Sequence, residues 1–281
     1  MSQGISRERA KVALFQMTSG IDPRANADAI GAAARQAVDG GAAMLFTPEM
    51  CGLLDRDRSR ATPRIVAEAD NPVLTAARAV ARDLKLWIDL GSLAILREDG
   101  RWANRGFVID ADGAIAARYD KIHMFDVDLA TGETWRESAA YAPGEQVVAV
   151  ETPIGLLGLA ICYDVRFPAL FEELGRRRCD AIRIPAAFTV PTGRAHWHLL
   201  QRARAVEASA WVIAAAQAGR HEDGRETYGH SLVIDPWGEV ALDMGKTAGV
   251  SFAVVDHERT REVRAQLPSL ANKREISRSA A

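Results

Sequence analysis

Short apolar runs, each too brief to be a helix, alternate with amphipathic stretches that open on proline, and this alternation constrains the chain more than any other feature. Val12 to Met17 reads as a strand; Asp22-Pro23 then opens a helix to about Val38, with Gly40-Gly41 after its end. Ala43 to Phe46 is the next strand, Asn71-Pro72 starts a helix through Leu84, and Trp87 to Leu96 is a strand. Two hairpins interrupt the pattern: Gly106 to Ile109 with Ala114 to Arg118 around Asp112-Gly113, and Gln146 to Val150 with Leu156 to Ile161 around Pro153-Ile154-Gly155. Further on, Pro168 to Arg178 is helical, Ala181 to Pro185 a strand, His196 to Ser209 a helix, and Trp211 to Ala216 a strand. Ser231 to Asp235 and Glu239 to Leu242 flank Pro236-Trp237-Gly238; Phe252 to Val255 is the last strand, and a helix follows through Arg264. Mixing βα units with hairpins predicts an α/β fold with mixed sheets.

No linker, repeat or low-complexity tract divides the 281 residues, so residues 1–281 read as one domain with its core at about 10–274 and a loose tail from Glu275 to Ala281. A hydrophobic share of 48% supplies a core, while a net charge of −2 gives no basis for a nucleic-acid or membrane partner. Arg176-Arg177-Arg178 reads as a solvated helix end. The three cysteines, Cys51, Cys162 and Cys179, have neither metal-ligand nor C-x-x-C spacing. Met1 to Lys11 is polar and no apolar run is long enough to span a bilayer, so a reduced, cytoplasmic protein is expected.

Cys162 follows an apolar strand and precedes Tyr163-Asp164-Val165-Arg166-Phe167-Pro168, a turn into a helix. A nucleophile on such a turn projects from the sheet edge beside backbone N–H groups that can receive an oxyanion; the alternative is a buried structural cysteine, which is the reading for Cys51 and Cys179. Glu49 lies just past the strand Ala43 to Phe46, beyond Pro48, where the chain leaves the sheet. A partly desolvated carboxylate there suits a general base, and a solvated loop charge is the alternative. Lys121 ends a strand in a half-apolar turn and suits an oxyanion stabiliser, or else is a surface charge. Glu137, in a loop running to Pro143-Gly144, suits a second carboxylate that orients the lysine or a substrate amide. Arg166 either pairs with a substrate carboxylate or forms an internal ion pair. Thr192, in a loop opening the helix from His196, and Tyr163 are candidate substrate contacts, whereas Trp197 reads as core. His196 and His198 have H-x-H spacing but do not share a helix face, and G-x-S-x-G is absent, which weighs against metal and serine hydrolases.

Taken together, Thr47-Pro48-Glu49-Met50, Tyr119-Asp120-Lys121-Ile122-His123-Met124-Phe125-Asp126 and Ile161-Cys162-Tyr163-Asp164-Val165-Arg166-Phe167-Pro168 resemble the Glu, Lys and Cys motifs of the nitrilase, or carbon–nitrogen hydrolase, superfamily, in that family's chain order. Pro185-Ala186-Ala187-Phe188, Ala214 to His221, Tyr228-Gly229-His230-Ser231 and Asp235-Pro236-Trp237-Gly238 look like the family's Nit branch, most of all its deaminated-glutathione amidases, with ω-amidases and N-carbamoyl amidohydrolases as alternatives. The resemblance implies a four-layer αββα sandwich, a homodimer formed through one helical face, and hydrolysis of a small amide through a thioester with no metal or organic cofactor. In it Cys162 is the nucleophile, Glu49 the base, and Lys121 with the Tyr163 N–H the oxyanion site, with Glu137 holding the lysine. Two places depart from the family pattern: Arg183 interrupts a strand that is usually apolar, and Ala208-Ser209 replaces polar helix residues.

Overall fold

The structure, a computed structural model, describes residues 8–128, 130, 132 and 134–274; the expected tail from Glu275 lies outside them. In chain order the strands are β1 (Arg9–Gln16), β2 (Met44–Phe46), β3 (Trp87–Leu96), β4 (Trp102–Ile109), β5 (Ile115–Asp120), β6 (Asp126–Asp128), β7 (Thr134–Arg136), β8 (Ala149–Thr152), β9 (Gly155–Leu159), β10 (Ala181–Arg183), β11 (Trp211–Ala214), β12 (Ala218–Arg220), β13 (Glu226–Tyr228), β14 (Leu232–Ile234), β15 (Val240–Asp243) and β16 (Gly249–Asp256). The helices are α1 (Pro23–Asp39), α2 (Arg58–Ala61), α3 (Pro72–Leu84), α4 (Pro168–Arg176), α5 (Val190–Ala208), α6 (His257–Gln266) and α7 (Ser269–Asn272).

Helix starts follow local chemistry. Asn71 accepts hydrogen bonds from the N–H groups of Val73 and Leu74 and Pro72 follows it, so α3 begins where a side-chain cap and a pre-set φ coincide. Asp22 caps α1 in the same way, ahead of Pro23. The loop expected from Thr192 to Trp197 is instead the first part of α5, which starts at Val190 with Pro191 in its opening turn. Proline lacks the N–H that a first helical turn leaves unpaired anyway, so it starts the helix here rather than delaying it.

Two six-stranded sheets form, ordered β16-β1-β2-β3-β4-β5 and β15-β14-β11-β10-β9-β8. Each has three parallel central strands (β1-β2-β3 and β9-β10-β11) with antiparallel strands outside them. The period-two alternation of strands divides the core. Val12, Leu14, Met44 and Phe46 pack with the second sheet's Leu157, Leu159 and Ile182. The intervening Ala13 and Leu45 face a separate cluster with Ile30, Ala34, Val73 and Ala77 of α1 and α3. Leu170, Phe171 and Leu174 of α4 and Ala205 and Ala208 of α5 join the cluster containing the second sheet. The order of layers is therefore helix, sheet, sheet, helix, the αββα sandwich the motifs imply.

Candidate active site

Three strand ends meet at one cavity. After β2, Pro48 cannot donate to a ladder and the chain leaves the sheet across Gly91, where a Cβ would collide with the carbonyl oxygens of Thr47 and Pro48. This close crossing delivers Glu49, 4% exposed, to the cavity floor. Its Oε1 accepts from Asn104 Nδ2 (2.9 Å) and Lys121 Nζ (3.1 Å), and its Oε2 accepts from the Ala187 N–H (2.9 Å).

Lys121 follows β5 directly, and its N–H donates to the Asn104 carbonyl at 2.9 Å. Its ammonium is 2% exposed and also donates to both oxygens of Glu137 (2.8 and 3.1 Å). Burial lowers the lysine's proton affinity, but the charges of Glu137 and Glu49 outweigh it and hold the pKa well above the usual lysine value. Glu137 opens a short 3₁₀ turn after β7, and its Oε2 accepts from the Phe125 N–H (2.7 Å) as well. The expected loop position thus becomes a fixed one.

Cys162 sits where β9 gives way to a 3₁₀ turn, Cys162–Arg166, and has φ +48°, the left-handed region that non-glycine residues seldom occupy. Its N–H donates to the Pro185 carbonyl (2.9 Å). The turn is anchored by buried Asp164, which accepts from the Ile161 N–H (2.9 Å), the His123 N–H (3.0 Å) and Tyr119 Oη (2.7 Å), and contacts His123 Nδ1 (2.7 Å). Burial, then the charge of Glu49, push the Cys162 thiol well above its ordinary pKa; Lys121 opposes them, and a hydrogen bond to Glu49 adds to the rise. Burial and the Glu49 charge both favour the protonated thiol over the thiolate.

Glu49, Lys121, Glu137 and Cys162 all line a cavity of about 880 Å³, together with Tyr163 and Thr192. Aromatic side chains, Phe125, Trp135, Tyr141 and Phe188 among them, form much of the wall, and Arg56, Arg58 and Arg225 lie along it. Arg166 forms no ion pair among the described residues, so the internal-pair reading does not hold, and it is not among the residues lining the cavity. Its guanidinium covers the rings of Tyr163 and Phe188 (5.8 and 5.6 Å) and approaches His196 Nδ1 (3.4 Å). Trp197 is core, as read, with Nε1 donating to the His230 carbonyl (2.7 Å). His196 and His198 part company, since His198 Nε2 meets Asp243 (3.0 Å). Cys51 and Cys179 are buried, and desolvation pushes each thiol up to about 12.

Two functional positions escape the sequence reading. Asn104 bridges Glu49 and Glu137 (2.9 and 3.2 Å) from β4, and its only sequence signal is a polar pair, Asn104-Arg105, inside a strand that otherwise holds apolar residues and glycine. Asp164 lies inside the cysteine motif, where the charge is visible but its role as the turn's anchor is not.

A sandwich whose cavity floor joins a thiol, a carboxylate and an ammonium has the groups that acyl transfer requires. Residues 11–265 match the model of the carbon–nitrogen hydrolase family. The chain is 37% identical over 275 residues to a deaminated glutathione amidase of Yersinia enterocolitica, covering 96% of this chain and 95% of the relative. Among solved structures it is similar to the C. elegans NitFhit protein, with a TM-score of 0.87 and 34% identity across 96% of this chain and 66% of that longer one. It is also similar to a mutant amidase of Nesterenkonia sp. AN1 that shows Michael addition of acrylamide at its active site cysteine (TM-score 0.75, 27% identity, 92% and 98% coverage). The chain belongs to the carbon–nitrogen hydrolase family and is a hydrolase.

Proposed function

We propose that the protein is a cysteine-dependent amidase that converts a small carboxylate-bearing amide, deaminated glutathione first among them, to acid and ammonia. The observation that carries this reading is the meeting of Cys162, Glu49, Lys121 and Glu137 on the lining of one cavity, with the Glu49 carboxylate holding the Lys121 ammonium at 3.1 Å. Sulfur attacks the amide carbon as its proton passes to Glu49, forming the C–S bond. The charge gathering on oxygen is met by Lys121 and the Tyr163 N–H. Collapse breaks the C–N bond, and Glu49 returns the proton to the departing ammonia. Water, deprotonated by Glu49, hydrolyses the thioester, and the released sulfur is reprotonated. Glu137 and Asn104 keep Lys121 and Glu49 aimed throughout.

The substrate class draws support from the relatives' names and from a cavity with aromatic walls and with Arg56, Arg58 and Arg225 available to carboxylates. Thr192 is a further substrate contact; its Oγ1, paired with Thr189 Oγ1 at 2.7 Å, lies on the lining. Association as a homodimer through α5 is supported by its exposed Leu199 and Val206 beside the exposed Trp237. Among the described residues no helix is long and apolar enough to cross a membrane. Three free thiols favour a reducing compartment such as the cytoplasm.

Ammonia release is the test, using deaminated glutathione, 2-oxoglutaramate, an N-carbamoyl amino acid and a simple nitrile, with Cys162→Ala as control. Release greatest from deaminated glutathione and absent in the variant is the expected result. Release from 2-oxoglutaramate or the carbamoyl compound alone would move the substrate assignment, and turnover surviving in the variant would reject the nucleophile.

A further inference from the structure

Arg183, the cation that breaks an apolar strand, lies fully buried between the two sheets. Its Nη1 donates to the Gly91 carbonyl of the first sheet (2.9 Å) and to the Ala160 carbonyl of the second (3.2 Å). Its Nε stands 3.3 Å from buried Asp89, the residue of β3 that faces inward between Ile88 and Leu90. Gly106 makes room, because a Cβ there would overlap the guanidinium, and Tyr119 stacks beneath it at 5.8 Å.

Each of these contacts leads to the chemistry within a few bonds. Gly91 is the residue over which Thr47 and Pro48 cross to present Glu49, and its N–H donates to Thr47 Oγ1 (3.0 Å). Ala160 is two residues before Cys162, and its N–H donates to the Arg183 carbonyl (3.1 Å). Tyr119 donates to Asp164, the anchor of the cysteine turn. The backbone running on from Arg183 holds both reactants directly: the Pro185 carbonyl takes the Cys162 N–H, and the Ala187 N–H donates to Glu49. Stability alone does not account for such a pair, since well-packed apolar side chains do as well or better at buried positions of this kind.

We infer that Arg183 is a positioning residue: by clamping Gly91 to Ala160 between the sheets, with Asp89 as its counter-charge, it sets the separation of Glu49 and Cys162. The inference rests on the proposed roles of those two residues. A reactant displaced by about 1 Å loses on the order of a hundredfold in rate without losing its binding surface, so the clamp acts on kcat and not on KM.

The test compares wild type, Arg183→Lys and the double variant Asp89→Leu/Arg183→Met. It reads the melting temperature, kcat and KM for the amide that wild type turns over, and alkylation of Cys162 by iodoacetamide followed by peptide mass spectrometry. The double variant removes both charges, so neither is left buried and unpaired. The expected result is a melting temperature close to wild type with unchanged KM. Its kcat and its alkylation rate at neutral pH fall together, by roughly ten- to a hundredfold. Arg183→Lys, which keeps a charge and donors on a shorter stem, recovers part of both. A double variant with wild-type kcat and alkylation would make the pair purely structural and overturn the inference. If the double variant does not fold, Arg183→Lys decides alone, with full kcat and alkylation counting against the clamp and a loss at unchanged KM counting for it. Glu49→Gln serves as the reference: if it leaves alkylation and turnover intact, the reading of Glu49 as base fails, independently of Arg183.

Discussion

The two halves of the sandwich share one topology and divide the chemistry unequally. Each builds three parallel strands, β1-β2-β3 or β9-β10-β11, with helices connecting them and antiparallel strands outside. In both, the loops at the carboxyl ends of the parallel strands reach the same region, where open α/β sheets place ligands. The first half contributes the charged set, Glu49 after β2 and Lys121 after β5, with Asn104 on β4 between them. The second contributes the strained turn with Cys162, and at the matching exit of the first half, after β1, the chain instead passes through Met17 to a buried Ser19 bound to Gln217. A duplicated framework thus supplies rigid strand ends and differs in what surrounds its thiols: Cys51 donates to the Ser92 carbonyl, whereas Cys162 lies beside the Glu49 carboxylate and the Lys121 ammonium.

The largest effect on this contrast comes from emptying the second half's strand end. Cys162→Ala should lower kcat by a factor on the order of 10⁴ to 10⁶ while leaving the melting temperature near wild type; Cys51→Ala should do the reverse, sparing kcat and lowering the melting temperature. Glu49→Gln is the next test, with kcat expected to drop about 10²- to 10⁴-fold; a variant that keeps its rate would move the base to Glu137. Lys121→Met should cost roughly 10²- to 10³-fold in kcat, as other oxyanion donors do, and a defect confined to KM would make it a binding residue only.

The smallest effect is in pH dependence. Cys162 has a folded pKa raised above the ordinary thiol value of 9.0. Its contribution to stability is therefore fully present below about pH 9 and is lost as pH rises through the raised value. Thiolate ultraviolet absorbance assigned to Cys162, as wild type minus Cys162→Ala, should be absent at neutral pH and should appear only in the alkaline range. Urea midpoints of wild type should fall more steeply than those of the variant over that range. A thiolate signal at neutral pH would instead mean a preformed ion pair with Lys121.

Much of this was legible in the sequence because it is local. Asn71-Pro72 fixes the start of α3 within three residues, and the bounds of β3 agree with its apolar run. The β6–β7 hairpin escapes the sequence reading because each strand is three residues long, with a single apolar residue, Val127 or Trp135, between polar ones, too short to establish a period. The Glu, Lys and Cys motifs mark their residues, but the bonds joining them span 72 positions for Glu49 and Lys121 and 138 for Glu49 and Ala187, and no local pattern encodes such pairings. Arg183 stands out in sequence as an intrusion into an apolar strand; its counter-charge, Asp89, lies on β3 of the facing sheet, across the core.

The proton that Cys162 keeps between turnovers bears on how the enzyme ages. Peroxides attack thiolates, and enzymes that store a ready-made thiolate are the first to be converted to sulfenic and sulfinic acids. Here the residue is 8% exposed and its thiolate is disfavoured by burial and by the charge of Glu49. The same desolvation therefore predicts slow oxidation of Cys162 by peroxide at neutral pH, measured as sulfenic and sulfinic acid at that residue by peptide mass spectrometry, and rapid oxidation there would contradict it.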